Sequence, residues 1–103
     1  MPKAYWVVTY RSITNPDAWR AYAKIAVPAI EASGGRFLAL NNPTKTYEAG
    51  MNMRTVVTEW ESVAAAIAGH DSPGYKEALR VLGDAAERDI RIVAAVMARL
   101  RQS

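Results

Sequence analysis

The sequence predicts an α+β fold in the order β-α-β-β-α-β, with four strands in one antiparallel sheet and the helices on one of its faces. Three observations carry this. Residues 26–38 end a helical hydrophobic period at Gly34-Gly35 and start a strand-like alternation directly afterwards. Residues 4–11 and 89–97, near the two ends, are rich in β-branched and apolar side chains on both phases of a period of two. The length of 103 residues leaves room for one core, expected over residues 1–97, followed by a basic tail at 98–103.

Ala4 to Arg11 is the first strand. Trp6, Val8 and Tyr10 fall on one side and Tyr5, Val7 and Thr9 on the other, and the turn chemistry of Ser12 to Pro16 ends it. A helix then begins with Asn15 or Thr14 as cap. Pro16 takes the first helical position, where its missing N–H costs nothing, and Asp17 sits near the positive end of the helix dipole. Trp19, Tyr22, Ala26, Ala29 and Ile30 recur at spacings of three and four, opposite Asp17, Arg20, Lys24 and Glu31, so the helix is amphipathic to about Ser33. Pro28 lies inside this pattern and removes the hydrogen bond to the Lys24 carbonyl, which predicts a bend or break over residues 24–28. Gly34 suits the left-handed position after the helix end.

Arg36 to Leu40 is the second strand. Asn41-Asn42-Pro43 supplies turn or bulge chemistry, and extended structure is expected to resume over Thr44 to Ala49, forming a hairpin with a third strand at Arg54 to Trp60 across the turn Gly50-Met51-Asn52. Ser62 caps a short helix through Ala68 that Gly69 stops. Ser72 and Pro73 open a second piece with Tyr75, Ala78, Leu79 and Leu82 on one stripe, so the two pieces form one interrupted helical arm. After Gly83 and a turn at Asp84 to Glu87, Asp89 to Met97 is the last strand. Two βαβ halves with right-handed crossovers place both helical arms on one face, a ferredoxin-like sandwich. The outer strands of the sequence are apolar on both sides, so the other face also needs a cover. A second copy of the chain, joined sheet face to sheet face as a homodimer, is the expected partner.

Composition narrows the function. The net charge of +3 comes from basic residues scattered among acids, with only Arg88, Arg91, Arg99 and Arg101 gathering towards the end, so no basic patch for nucleic acid forms. RNA-recognition domains share the element order, but their third strand carries stacking aromatics where Arg54 to Glu59 offers valines and threonines; no nucleic-acid partner is expected. The first residues lack a signal peptide's apolar core, and no apolar run approaches the roughly 18 residues of a membrane span. Together with the absence of cysteine, this gives the expectation of a soluble cytoplasmic protein without a membrane partner. One histidine and no cysteine leave too few ligands for zinc. No GxGxxG motif occurs and His70 is a poor axial ligand, so neither metal nor haem, flavin or nicotinamide is expected as cofactor.

Tyr5-Trp6, Asn15-Pro16 with Tyr22, Pro28, Gly34-Gly35-Arg36-Phe37, Glu48 before Gly50, Arg54-Thr55-Val56-Val57 leading to Glu59-Trp60, and Ser72-Pro73 with Tyr75 form an ordered set. In this set the chain resembles domain of unknown function family 1330, within the dimeric α+β barrel superfamily, from Tyr5 to about Ala95. The resemblance implies the ferredoxin-like fold and the homodimer, and brings no established reaction. The chain departs from the family pattern at three places: Asn41-Asn42 replaces a glycine pair, Leu82 an arginine, and Ala94-Ala95 an acid and a glycine. Asparagine also tolerates left-handed backbone, which keeps the turn, whereas losing a guanidinium at Leu82 changes which anion that site could hold.

The candidate pocket residues are Tyr5, Tyr22, Glu59, His70 and Tyr75, expected to converge between the sheet and the helices with the break at Gly69 to Pro73 as the mouth. His70 is the obvious general base, against the plainer role of a loop or cap side chain; Glu59 could be a desolvated carboxylate or half of a cross-strand ion pair with Arg36 or Arg54. The tyrosines carry apolar bodies with hydroxyl tips, suited to a pocket or to core packing, and Trp6, Trp19 and Trp60 belong to core or interface. Two functions follow. The chain binds a small apolar or aromatic molecule as a metal-free isomerase, lyase or oxygenase, as the superfamily resemblance implies, or it is a non-catalytic metabolite-binding or interaction module. Clustering of His70, Glu59 and a tyrosine around one cavity favours the enzyme, and an aliphatic lining favours the module.

Overall fold

The computed structural model describes residues 2–96; Met97, the expected end of the last strand, and the basic tail 98–103 lie outside them. The chain runs β1 (Ala4–Ile13), α1 (Pro16–Ala32), β2 (Arg36–Asn41), β3 (Thr55–Trp60), α2 (Val63–His70), α3 (Pro73–Leu82) and β4 (Ala86–Ala94). The four strands form one antiparallel sheet in the order β2-β3-β1-β4, the ferredoxin-like arrangement. Among the described residues no helix is long and apolar enough to cross a membrane.

The helix starts follow from their caps. The side chains of Asn15, Ser62 and Ser72 accept from the backbone N–H of Ala18, Ala65 and Tyr75, satisfying donors that the first turn leaves free. Gly34 ends α1 with φ +103°, a conformation that costs a residue without Cβ nothing. The expected break at Pro28 does not occur, because α1 continues through it. Pro28 and Lys24 both lie on the exposed side, where water can replace the missing N–H.

Three sequence expectations change. Thr44 to Ala49 is not a strand: the Gly50 N–H donates to the Tyr47 carbonyl at 2.9 Å and Glu48 has φ 52°, a turn that a strand cannot pass through. β2 itself pairs with β3 across the loop 42–54, with Asn41 opposite Thr55. Gly69 does not stop α2 but lies within it, buried against Trp60. Finally, β4 begins at Ala86 rather than Asp89, because its ladder with β1 continues past an irregularity between Tyr10 and Ser12 to pair Ile13 with Ala86.

The sheet has two unlike faces. Ala4, Trp6, Val8 and Tyr10 are buried under the helices, and Thr58 and Trp60 of β3 join them. Trp6 and Trp60 pack with ring centroids 5.3 Å apart, and Tyr75 of α3 closes on Trp6 at 5.1 Å. Buried Thr58 accepts from the Trp60 indole N–H at 2.8 Å, so neither polar group is orphaned. α1 packs along α3, and Tyr22, Ala26 and Ile30 share the core with Trp6 and Trp60, yet space remains between this helix and the sheet.

Candidate functional site

That space is a cavity of about 190 Å³ between α1 and the sheet. Ala26, Val27, Ile30, Val8, Val56 and Leu40 make its aliphatic walls. Trp6, Tyr10, Trp19, Tyr22, Phe37 and Tyr75 make its aromatic ones. Among the described residues, Arg54 and Arg88 are the only charged ones on it.

The polar groups form a connected cluster. The hydroxyls of Tyr22 and Tyr75 lie 2.7 Å apart, and Arg88 Nη1 donates to Tyr22 Oη at 2.8 Å and to Tyr75 Oη at 3.4 Å. The Arg88 guanidinium also lies over the rings of Tyr22, at 5.0 Å, and Tyr10, at 5.6 Å. Trp19 donates its indole N–H to Tyr10 Oη at 3.0 Å, and Arg54 covers the Trp19 ring at 4.9 Å. Burial, reinforced by Tyr75 and opposed by Arg88, pushes the Tyr22 phenol well above the usual tyrosine range, so it stays neutral. Burial works against the Arg88 charge, and the hydroxyl oxygens of Tyr22 and Tyr75, to which the guanidinium donates, favour it. Trp6, also on the cavity wall and 1% exposed, has an indole N–H with no acceptor among the described residues.

The five sequence candidates separate. Tyr22 and Tyr75 meet at the cavity. His70 packs behind Tyr75 at 5.3 Å and edge-on to Trp6 at 5.6 Å, with Nδ1 3.1 Å from Asp71 Oδ1, and does not line the cavity. Tyr5 and Glu59 are directly opposite each other in the β1–β3 ladder, on the phase that alternates with buried Trp6 and Thr58, and so belong to the face that no helix covers. There Glu59 is paired with Arg36, its neighbour in β2, at 3.1 Å, and with Lys3 at 3.9 Å. No residue of the 69–73 break lines the cavity; its rim includes Leu40 and partly buried Val27 and Arg54.

Arg88, Tyr10 and Trp19 were not among the sequence candidates. One signal for Arg88 was present: the helix-facing phase Ala94, Ile92, Ile90 extends back by two to Arg88, opposite Tyr10. A charge on the apolar phase of a strand marks a site. Leu82, where the resemblance led to the expectation of an arginine, is core, 5% exposed.

Residues 3–96 match the family described as Domain of unknown function (DUF1330). The chain belongs to this family. No curated protein matches it. Among solved structures, this chain resembles a protein of unknown function from Rhodopseudomonas palustris, with a TM-score of 0.69 and 18% identity over 93% of this chain and 84% of that one. It also resembles a dimeric ferredoxin-like protein of unknown function from Thermobifida fusca, with a TM-score of 0.64 and 17% identity over 91% and 92%. SnoaB, a cofactor-independent oxygenase from Streptomyces nogalater, matches with a TM-score of 0.64 and 12% identity over 95% and 97%. At these identities the likeness is one of fold.

Proposed function

We propose that this DUF1330 protein is a homodimer, joined through its open sheet faces, in which each protomer binds one small apolar or aromatic molecule in the cavity beneath α1. The observation that carries the reading is the cavity itself. An apolar void of about 150 Å³ accepts benzene, and the volume here, about 190 Å³ within aromatic and aliphatic walls, suits one ring with a short substituent. The buried Trp6 donor and the Tyr22–Tyr75 pair give such a molecule polar partners within a lining that is mostly aromatic and aliphatic.

The dimer rests on the other face. Its centre holds Tyr5, Val7, Val57 and Val93, the last 49% exposed. Each carboxylate around that centre is paired with cations: Glu59 with Arg36 and Lys3, and Asp89 with Arg11 at 3.5 Å and Arg91 at 3.0 Å. A like face from a second copy would cover the apolar centre without burying an unpaired charge. The Thermobifida fusca neighbour, described as dimeric, supports this.

A catalytic reading has one observation in its favour. A tyrosine hydroxyl fixed by the Arg88 guanidinium can orient a polar substrate group, and the likeness to the cofactor-independent oxygenase SnoaB points to a metal-free isomerase, lyase or oxygenase, although burial holds the Tyr22 proton too firmly for general-acid work. Binding is the reading the geometry favours, because His70 and Glu59, the two bases the sequence offered, stand away from the cavity.

The test is an NMR titration with a neutral one-ring probe, phenol, following the indole N–H signals. The expected result is a saturable shift at Trp6 and Trp19 with little change at Tyr5 or Val57. Shifts confined to the open face overturn the assignment.

A further inference from the structure

Two cations without a counter-charge stand on this apolar cavity. Among the described residues no carboxylate lies within ion-pair distance of Arg54 or Arg88. The acid next to Arg88 in sequence cannot serve: Asp89 belongs to the opposite phase of β4 and is already held by Arg91 and Arg11. The Tyr22 phenol, kept neutral by burial, does not neutralise Arg88 either.

Arg88 spends only Nη1 on the two tyrosine hydroxyls. Its Nε and Nη2 have no acceptor among the described residues, and neither is sealed from solvent or cavity. A partly buried guanidinium is costly to keep charged and unpaired, and a planar fork of free N–H donors matches the two oxygens of a carboxylate. Arg88 rests against Tyr10 and Tyr22, and Arg54 against Trp19, so both guanidinium groups are held in place before any ligand arrives.

We infer that the molecule bound here is a monocarboxylate, its acid group held by Arg88 with Arg54 completing the charge and its apolar or one-ring body lying under α1. The inference rests on the pocket reading above and adds the chemical class. Tyr22 and Tyr75 act as positioning residues, since their hydroxyls hold Nη1 and leave the other nitrogens of Arg88 for the ligand.

Calorimetric and NMR titrations of the intact protein with phenylacetate and with phenylacetamide, its neutral isostere, test this. The acid is expected to bind at least tenfold more tightly than the amide. That preference should fall to below threefold in Arg88→Gln and weaken in Arg54→Gln, while the amide keeps its affinity. Equal affinities for acid and amide, with the Trp6 and Trp19 signals shifting for both, overturn the carboxylate inference and leave the pocket standing. Silence of both signals with either probe overturns the pocket and the inference together. The comparison of acid with amide needs no variant, so a misfolded Arg88→Gln protein does not remove the test.

Discussion

Gly69 carries no side chain because the Trp60 ring lies where one would go. A Cβ there would collide with the six-membered part of the indole, and one at Gly35 would stand 2.7 Å from the same ring and 2.6 Å from Ile30. Gly69→Ala and Gly35→Ala should therefore each destabilise by about 1–3 kcal/mol, the usual cost of overpacking, read as a lower urea midpoint. Unchanged midpoints would mean that Trp60 has room to move. The Tyr22 phenol gives a pH prediction whose sign follows from its raised pKa. The unfolded chain releases this proton near the ordinary value of about 10 and the folded protein does not, so the stability it contributes is fully present below about pH 10 and is lost as pH rises further. Between pH 8 and 11 the wild type should lose stability more steeply than Tyr22→Phe, and parallel slopes would contradict the burial of the phenol. Of the site, Tyr22 and Tyr75 were legible because each falls on a helical apolar stripe. Arg88 was not, because a late start for the last strand put it outside the sheet and among the basic residues of the chain end.

At the level of the elements, Ser72 joins the two short helices. Its hydroxyl donates to the Gly69 carbonyl at 2.8 Å at the end of α2 and accepts from the Tyr75 N–H at 3.3 Å at the start of α3, which makes it both closing and opening cap. Ser72→Ala should cost about 1 kcal/mol, as N-cap losses do. Because Tyr75 lies in the first turn of α3, its hydroxyl contact with Tyr22 should loosen too, visible as faster amide exchange at Tyr75. Exchange unchanged there would place the anchor of α3 elsewhere. Helix positions were readable from Asn15-Pro16, Ser62 and Ser72-Pro73, since caps act locally. The loop 42–54 was not, because turn and extended residues alternate along it and only the ladder partner of Asn41 decides where β2 ends. The face of Tyr5 and Glu59 was hidden for a different reason. β1 is apolar on both phases, so a period of two separates Trp6 from Tyr5 without saying which phase the helices cover.

For the whole molecule, the two faces of the sheet differ: one encloses the cavity, and the other, with Tyr5, Val7, Val57 and Val93, is the face proposed to meet a second copy. Val93 is 49% exposed in the protomer, so Val93→Asp should fold and yet bury an unpaired carboxylate in the dimer. It is expected to sediment as a monomer at micromolar concentration where the wild type sediments as a dimer, and dimeric Val93→Asp would move the interface off this face. The order of elements was legible, since it follows from hydrophobic period and from the turn and cap residues between the periodic stretches. The cavity was legible only in outline, because its size depends on how side chains from α1, β1 and β3 pack against one another, which a hydrophobic period does not record. Native mass spectrometry of the wild-type protein with saturating phenylacetate tests the account most directly, because it reads assembly and site together. A dimer carrying two ligands, one for each cavity, is the predicted result. A dimer that takes up a single ligand, as a site shared across the interface would, or no ligand at all, would contradict it.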